Sequence, residues 1–326
     1  MPPANRKNPV RAASSQSLYS KAEFDAEFPD DEACLQHLWR ERHSPDGEHA
    51  HCPKCEQERS FKQYATTQQR QCWTCTGCGH HLHPTAGTIF AKSSTSLRHW
   101  FYVMFIVSSS RCGVAAKQVE RELGCNYKTA LRMLHVIRAE LMGQDETPLS
   151  GVVEADSAYV GGQLREGERS RLHAEGRSNQ GPATKNRDVI FAAVERKGRI
   201  RATVVGKSAD QMRTTLAIQN RLHEFILPRS MVFTDDWGGY NAVERTGSYN
   251  IRRIKHSQRI YVSGEVHTQT VEGFFGHFKT DVRGTHHSIS TRWLPGYLNE
   301  WVWKWNHRDD DEAMFRQLVS NAANNY

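Results

Sequence analysis

VVEADSAYVGG, residues 152–162, opens on an apolar, β-branched run that stops at Asp156, the pattern by which a buried strand delivers an acid to the rim of a sheet. MVFTDDWGGY, residues 231–240, repeats the pattern and ends at Asp235. A third acid is placed differently. In HTQTVEGFFGHFK, residues 267–279, Val271, Phe274, Phe275 and Phe278 recur at helical spacing, and Glu272 and Lys279, nearly two turns apart, share a face beside that stripe. Two strand-end aspartates and a helix glutamate can converge on one point. An all-oxygen cluster of that kind suits hard divalent cations such as Mg²⁺, although acids at strand ends also serve as caps and turn formers.

The sequence around these acids reads as α/β. Segments 189–196 and 199–206 flank Lys197-Gly198, a two-residue turn, and are expected to pair antiparallel beside the Asp156 strand. Ser208 is expected to cap a helix running to about Phe225, with further strands over 230–234 and 249–255. Between Gly161 and Asp188 lies a Gly-, Ser- and Arg-rich insertion with Arg165, Arg169, Arg171, Arg177, Lys185 and Arg187, read either as a phosphate clamp or as a solvated charged loop. Trp237 and Tyr240 are read as stacking on an unpaired base or as packing at the sheet edge. His256 and His267 lie near the same rim, as phosphate contacts or ordinary polar residues. Trp301, Trp303 and Trp305 in LPGYLNEWVWKWNHR, residues 294–308, are expected to leave one helix face for a partner subunit or DNA, followed by Asn306 and Arg308.

Eight cysteines without a secretory context ask for a metal before a disulfide. Cys52 and Cys55 are followed, after nineteen residues, by Cys75 and Cys78, the spacing of a four-cysteine zinc ribbon whose structural site leaves no open position for water. Cys72 forms an overlapping pair with Cys75. Gly79, directly after Cys78, favours Cys75 and Cys78 because it permits a tight left-handed turn. His80, His81 and His83 are read as surface residues, and Cys34, Cys112 and Cys125 as small core residues.

Helices flank the ribbon. One begins at Asp30-Asp31-Glu32 with Ala33, Leu35, Leu38 and Trp39 facing in, expected to pack on the ribbon, and Leu97–Ser109 reads as a buried helix. Residues 114–123 form an amphipathic helix ended by Gly124. Asn126 then caps a second helix with Ala130, Leu131, Leu134 and Ile137 inside. This is a helix-turn-helix pattern, with a plain helical hairpin as the alternative, and it sets Tyr127, Lys128, Thr129 and Arg132 where residues meet base edges and phosphates.

The formal net charge of +7 suits a polyanionic partner such as DNA. No apolar run reaches the roughly 18–20 residues that cross a membrane and no secretory segment stands near Met1, so a cytoplasmic protein is expected. The opening MPPANRKNPVRAASSQS reads as a disordered basic tail.

VEAD with YVGG, FTDDWGGY, VHTQTVEGFFGHFK and LPGYLNEWVWKWNHR together resemble, in order, bacterial insertion-sequence transposases of the ISXO type, which carry an N-terminal zinc ribbon and a DDE catalytic domain and are akin to the eukaryotic Merlin elements. The resemblance spans residues 20–310 and extends to Gly87-Thr88 past the last ribbon cysteine. It implies an RNase H-like mixed sheet preceded by the ribbon and the helical region. The divisions expected are a tail over 1–17, helix plus ribbon over 18–92, a DNA-binding helical region over 93–145, a catalytic domain over 149–310 and a C-terminal tail over 311–326. It implies Mg²⁺ or Mn²⁺ on Asp156, Asp235 and Glu272, structural Zn²⁺ on Cys52, Cys55, Cys75 and Cys78, and Lys279 beside the scissile phosphate. The implied activity is binding of terminal inverted repeats, cleavage by water and joining to target DNA by a 3′-hydroxyl, in a homodimer or larger assembly. A catalytically degenerate repeat-binding regulator and a structure-selective nuclease are the alternatives. Two positions depart from the family pattern: Ser157 where an acid commonly follows the first aspartate, and Gln269 where asparagine is usual.

Overall fold

The computed structural model describes residues 16, 18–64, 72–161, 187–208, 210–255, 258, 262, 264–310 and 312–324. The opening tail apart from residue 16, the insertion residues Arg165, Arg169, Arg171, Arg177 and Lys185, and His256 lie outside them. The chain divides into two compact units, one made of residues 1–141 and 307–326, the other of residues 142–306.

In the first unit, helices α1 (Lys21–Glu27) and α2 (Asp31–Arg42) precede a four-stranded antiparallel sheet, β1 (His49–Cys52), β2 (Gln57–Tyr64), β3 (Cys72–Cys75) and β4 (His81–Leu82), in sequential order. Asp30 caps α2 by accepting from the Ala33 N–H at 2.9 Å. Trp39 of α2 stacks on Trp73 of β3 with centroids 4.7 Å apart and planes 5° from parallel, so the helix packs on the ribbon sheet as the apolar pattern predicts. Helix α3 (Leu97–Ser109) is buried along most of its length.

Helices α4 (Ala116–Leu123) and α5 (Tyr127–Val136) follow, joined through Gly124 at φ +63° and Asn126, whose Oδ1 accepts from the Lys128 N–H at 2.8 Å. Ala130, Leu134 and Ile137 are buried as expected, but Met133 takes the inward place read for Leu131, which is half-exposed. The reason is a helix phase turned toward the row 130, 133, 134 and 137, a spacing of three and four residues on one face.

The second unit is built on a five-stranded mixed sheet of order β7-β6-β5-β8-β9, formed by β5 (Val152–Val160), β6 (Asp188–Glu195), β7 (Ile200–Lys207), β8 (Met231–Thr234) and β9 (Asn250–Arg253). Strands β5, β6 and β7 pair antiparallel, whereas β8 runs parallel to β5 and β9 parallel to β8. The hairpin turns at Lys197-Gly198, with Lys197 at φ +60°. Helix α6 (Gln211–Phe225) starts two residues later than expected because Asp210, not Ser208, caps it through the Arg213 N–H at 3.1 Å.

After the short α7 (Asn241–Arg245) come α8 (Gln269–Asp281) and α9 (Leu294–Asn306). One face of the sheet, through Ala158, Ile190, Ala192 and Ala202, packs on α8 and α9; the other, through Val153, Ala155, Phe191 and Ala193, packs on α6. Asn306 closes the exposed edge of β7, accepting from the Ile200 N–H at 2.8 Å and donating to its carbonyl at 3.0 Å. The three tryptophans of α9 find partners inside this unit, contrary to the expected free face. Trp303 is buried, Trp301 donates to Asp281 Oδ2 at 2.6 Å and Trp305 donates to the Gly198 carbonyl at 3.2 Å. Two half-buried indoles thus satisfy their N–H groups without a second chain.

The segment 311–326, read as a tail, contains α10 (Met314–Asn324), which buries Met314, Phe315, Leu318 and Val319 in the first unit. Its apolar spacing of one, three and four residues makes a helix face, a signal overlooked beside the polar Asn-Asn ending. No described helix is long and apolar enough to cross a membrane.

Candidate functional site

Strand parity decides which acids face the same way. Glu154 and Asp156 share the face of β5 that carries Ala158 against α8, while Ser157 and Tyr159 point to the α6 side. Asp156 Oδ1 accepts from the Ser157 N–H at 2.7 Å. Burial raises the Asp156 carboxyl from its ordinary value of 3.8 to about 7, although the residue keeps some solvent exposure. The charge of Asp235 adds to the rise and Glu272 adds further, against the Ser157 hydrogen bond and the positive charge of Lys279.

Asp235 leaves β8 at its C-terminal end, next to β5, and its Oδ1 accepts from the Trp237 N–H at 3.2 Å. Asp236 is exposed, whereas Asp235 is half-buried. Glu272 lies in the first turn of α8, exposed, with Oε1 accepting from the buried Thr268 hydroxyl at 2.6 Å. Lys279, two turns along, is half-buried over the Phe275 ring at 5.9 Å. Burial lowers its pKa, Asp156 opposes that fall, and Arg283 and Arg187 reinforce it. The four residues therefore share one electrostatic neighbourhood. The three carboxylates do not, however, draw within 4.8 Å of one another as a trio, which among the described residues only the four ribbon cysteines do.

Tyr240 is fully buried and sits edge-on to Trp237 at 5.3 Å, so it packs and does not offer its ring to a base. Burial raises its hydroxyl pKa well above 10, as do the charges of Asp156 and Asp235. Gly239 is required by Trp237, since a Cβ there would meet the indole at 2.3 Å. On the α6 side, Ser157, Tyr159, Asp235 and Trp237, with Gln211 and Thr214, line a cavity of about 160 Å³. Gln269 is the exposed first residue of α8.

One acid of VVEADSAYVGG was passed over in reading the sequence. Glu154 is fully buried, and both its oxygens are occupied. Oε2 accepts from the Thr270 N–H at 2.8 Å and the Val271 N–H at 3.3 Å, while Oε1 accepts from the Thr270 hydroxyl at 3.0 Å and Arg196 Nε at 3.1 Å. His267 Nδ1 lies 3.2 Å from Oε1, at ion-pair distance but not aligned as a hydrogen bond. Arg196 also donates to the carbonyls of Glu265 at 2.6 Å and His267 at 3.4 Å and lies over the Phe233 ring at 4.6 Å. The available signal was parity, because an acid two residues before Asp156 on a buried strand must find donors within the protein.

In the first unit, Cys52, Cys55, Cys75 and Cys78 bring their sulfurs within 4.8 Å of one another, with 3.6 Å between Cys52 and Cys78 and 3.9 Å between Cys55 and Cys75. These spacings match the edge of about 3.8 Å in a tetrahedron with Zn–S bonds of about 2.3 Å. The two turns are alike. Glu56 (φ +56°) and Gly79 (φ +72°) each follow a second cysteine and donate their N–H to the carbonyl of the first, at 2.8 and 2.9 Å. Cys72 lies apart from the cluster, its sulfur 3.7 Å from His81 Nδ1. On α5, Tyr127 and Lys128 are exposed and Thr129 half-exposed, while the exposed Arg132 lies over the Trp100 ring at 5.3 Å and donates to Ser93 Oγ at 3.3 Å.

Residues 148–306 match the family model of the ISXO2-like transposase domain. Across 248 residues the chain is 27% identical to a Halobacterium salinarum protein described as an uncharacterized protein in transposable element ISH50, covering 75% of this chain and 77% of the relative. At 248 residues this similarity is longer than the 148–306 segment and so reaches beyond it. Residues 148–306 are therefore similar to the ISXO2-like transposase domain, and the chain over three quarters of its length to a protein of a transposable element.

Proposed function

We propose that the protein is a DDE transposase with an RNase H-like catalytic domain that binds the terminal inverted repeats of its element, cleaves DNA strands and joins them to a target. The observation that carries this reading is the match of residues 148–306 to the ISXO2-like transposase domain, a segment in which a strand, a strand end and a helix contribute Asp156, Asp235 and Glu272 to one electrostatic neighbourhood. Hard oxygen donors in one electrostatic neighbourhood would suit Mg²⁺ or Mn²⁺. Bound there, a divalent pair would lower the pKa of an attacking hydroxyl and stabilise the leaving oxygen. Asp156 and Asp235 would hold both ions and Glu272 would complete one coordination shell. Lys279, kept among opposing charges by its half-buried position, would neutralise a phosphate oxygen near the scissile bond.

The ribbon cysteines fit a structural Zn²⁺, and Tyr127, Lys128, Thr129 and Arg132 at the start of α5 would form the DNA-reading face of a helix-turn-helix. The Arg132 contacts with Trp100 and Ser93 make Lys128 the freer candidate for phosphate. Joining two element ends calls for a homodimer or larger assembly, acting in the cytoplasm.

The test compares Asp156→Asn, Asp235→Asn and Glu272→Gln with Asp236→Asn on a substrate carrying the terminal repeat. Each of the first three is expected to keep repeat binding and to lose cleavage by about 10³-fold or more, while Asp236→Asn stays near wild type. Ca²⁺ is expected to support binding without cleavage. Wild-type cleavage by Glu272→Gln would sink the three-carboxylate reading.

A further inference from the structure

We infer that Glu154 is a positioning residue that clamps the helix bearing Glu272 onto the strand bearing Asp156, and so sets the geometry of the catalytic cation site. The inference rests on the carboxylate reading proposed above and assigns a residue outside it. Strand β5 carries Glu154 and Asp156 two residues apart on one face, so Glu154 is fixed relative to the first acid by the strand itself. Its carboxylate then takes the first-turn N–H groups of Thr270 and Val271, donors that α8 cannot satisfy within its own hydrogen-bond ladder. Glu272 follows Val271 directly, and its backbone N–H donates to the Thr268 carbonyl at 3.0 Å in the same turn. A shift of this turn along the strand therefore moves Glu272 relative to Asp156.

Two further ties restrict the turn. Arg196 joins Glu154 to the carbonyls of Glu265 and His267, holding the segment that leads into α8, and it covers Phe233, the residue paired with Glu154 across β5 and β8. Thr268, buried, sends its hydroxyl to Glu272 itself. A carboxylate with no exposed surface and four hydrogen-bond donors has no room to approach substrate, so Glu154 acts through Glu272. Partners of this outer kind typically change metal affinity by about 10–100-fold when altered.

The experiment measures Mn²⁺ binding to the full chain, well below its melting temperature, for wild type, Glu154→Gln, Glu272→Gln and the double variant. Glu154→Gln is expected to weaken Mn²⁺ binding about tenfold. If Glu154 works through Glu272, it should add less than about twofold in the Glu272→Gln background, a non-additivity that general destabilisation would not produce. Amide exchange at Thr270 and Val271 should quicken in Glu154→Gln and not in Glu272→Gln. Should Glu154→Gln fail to fold, Thr270→Val removes one donor and is expected to weaken Mn²⁺ binding in the same direction. Wild-type Mn²⁺ binding by Glu154→Gln or Thr270→Val, alongside weakened binding in Glu272→Gln, overturns the positioning role alone. Unchanged binding in Glu272→Gln removes the cation site itself and this inference with it.

Discussion

The ribbon cluster and the acid site solve opposite problems in neighbouring stretches of one chain. Each cysteine pair comes from a single short turn, closed by the N–H of Glu56 or Gly79, and the four sulfurs already stand at tetrahedral spacing. The acids come one each from β5, the end of β8 and α8; Glu272 is exposed, and the trio stays farther apart. A closed site can be specified by local turns alone. An open one, as proposed for the acids, would leave room for substrate and would depend on residues that hold its ligands from behind, the part assigned above to Glu154 and Thr268.

Removing metal should separate the two sites most sharply. Structural zinc contributes about 10–16 kcal/mol in zinc-finger peptides, so Cys52→Ser and Cys78→Ser are expected to lose zinc and unfold the ribbon, as metal analysis and circular dichroism would register. Cys72→Ser should keep its full zinc content, because its sulfur stands with His81 and not with the cluster. Zinc loss in Cys72→Ser would shift the second turn three residues upstream.

A smaller effect is expected at Asp156, and it has a sign. A carboxyl raised from 3.8 to about 7 holds a proton in the folded chain that the unfolded chain has released, so stability falls as pH rises across that window. Asp156→Asn removes the cost. Its melting temperature should exceed that of wild type by about 2–4 °C at pH 8, for a gain of about 1 kcal/mol, and the difference should vanish toward pH 4. A difference independent of pH would assign the effect to packing and not to charge.

The smallest change is expected at Lys128. Lys128→Ala should weaken binding to repeat and random duplexes alike and reduce the slope of log affinity against log salt by about one unit. An unaltered slope would leave α4 and α5 as a helical hairpin.

Short-range patterns were readable in the sequence. The knuckles, the β8 run ending at Asp235, the Lys197-Gly198 turn and the apolar stripe of α8 all depend on neighbours within a few residues and stand where their spacing puts them, whereas Asp156, read as a strand end, lies in the middle of β5, whose ladder with β6 runs on to Val160. What escaped depends on contacts across the chain. Glu154 gains its meaning only when Thr270 and Val271, more than a hundred residues later, turn their N–H groups to it. The tryptophans of α9 looked surplus until Asp281 and Gly198 supplied acceptors, and Met133 displaced Leu131 because the packing partners of α5 chose its phase.

Helix α10 bears on biosynthesis. Phe315 stacks on Tyr19 at 4.9 Å and meets Phe24, Phe28 and Phe105 at 5.7, 5.9 and 5.9 Å, so an aromatic core begun near residue 19 is finished by a segment translated almost three hundred residues later. The ribosome delivers the whole second unit, residues 142–306, between those two halves. A nascent chain that has not yet reached α10 therefore carries a first unit whose aromatic core lacks Phe315. Synthesis through α10 becomes the condition for a closed aromatic core in the first unit.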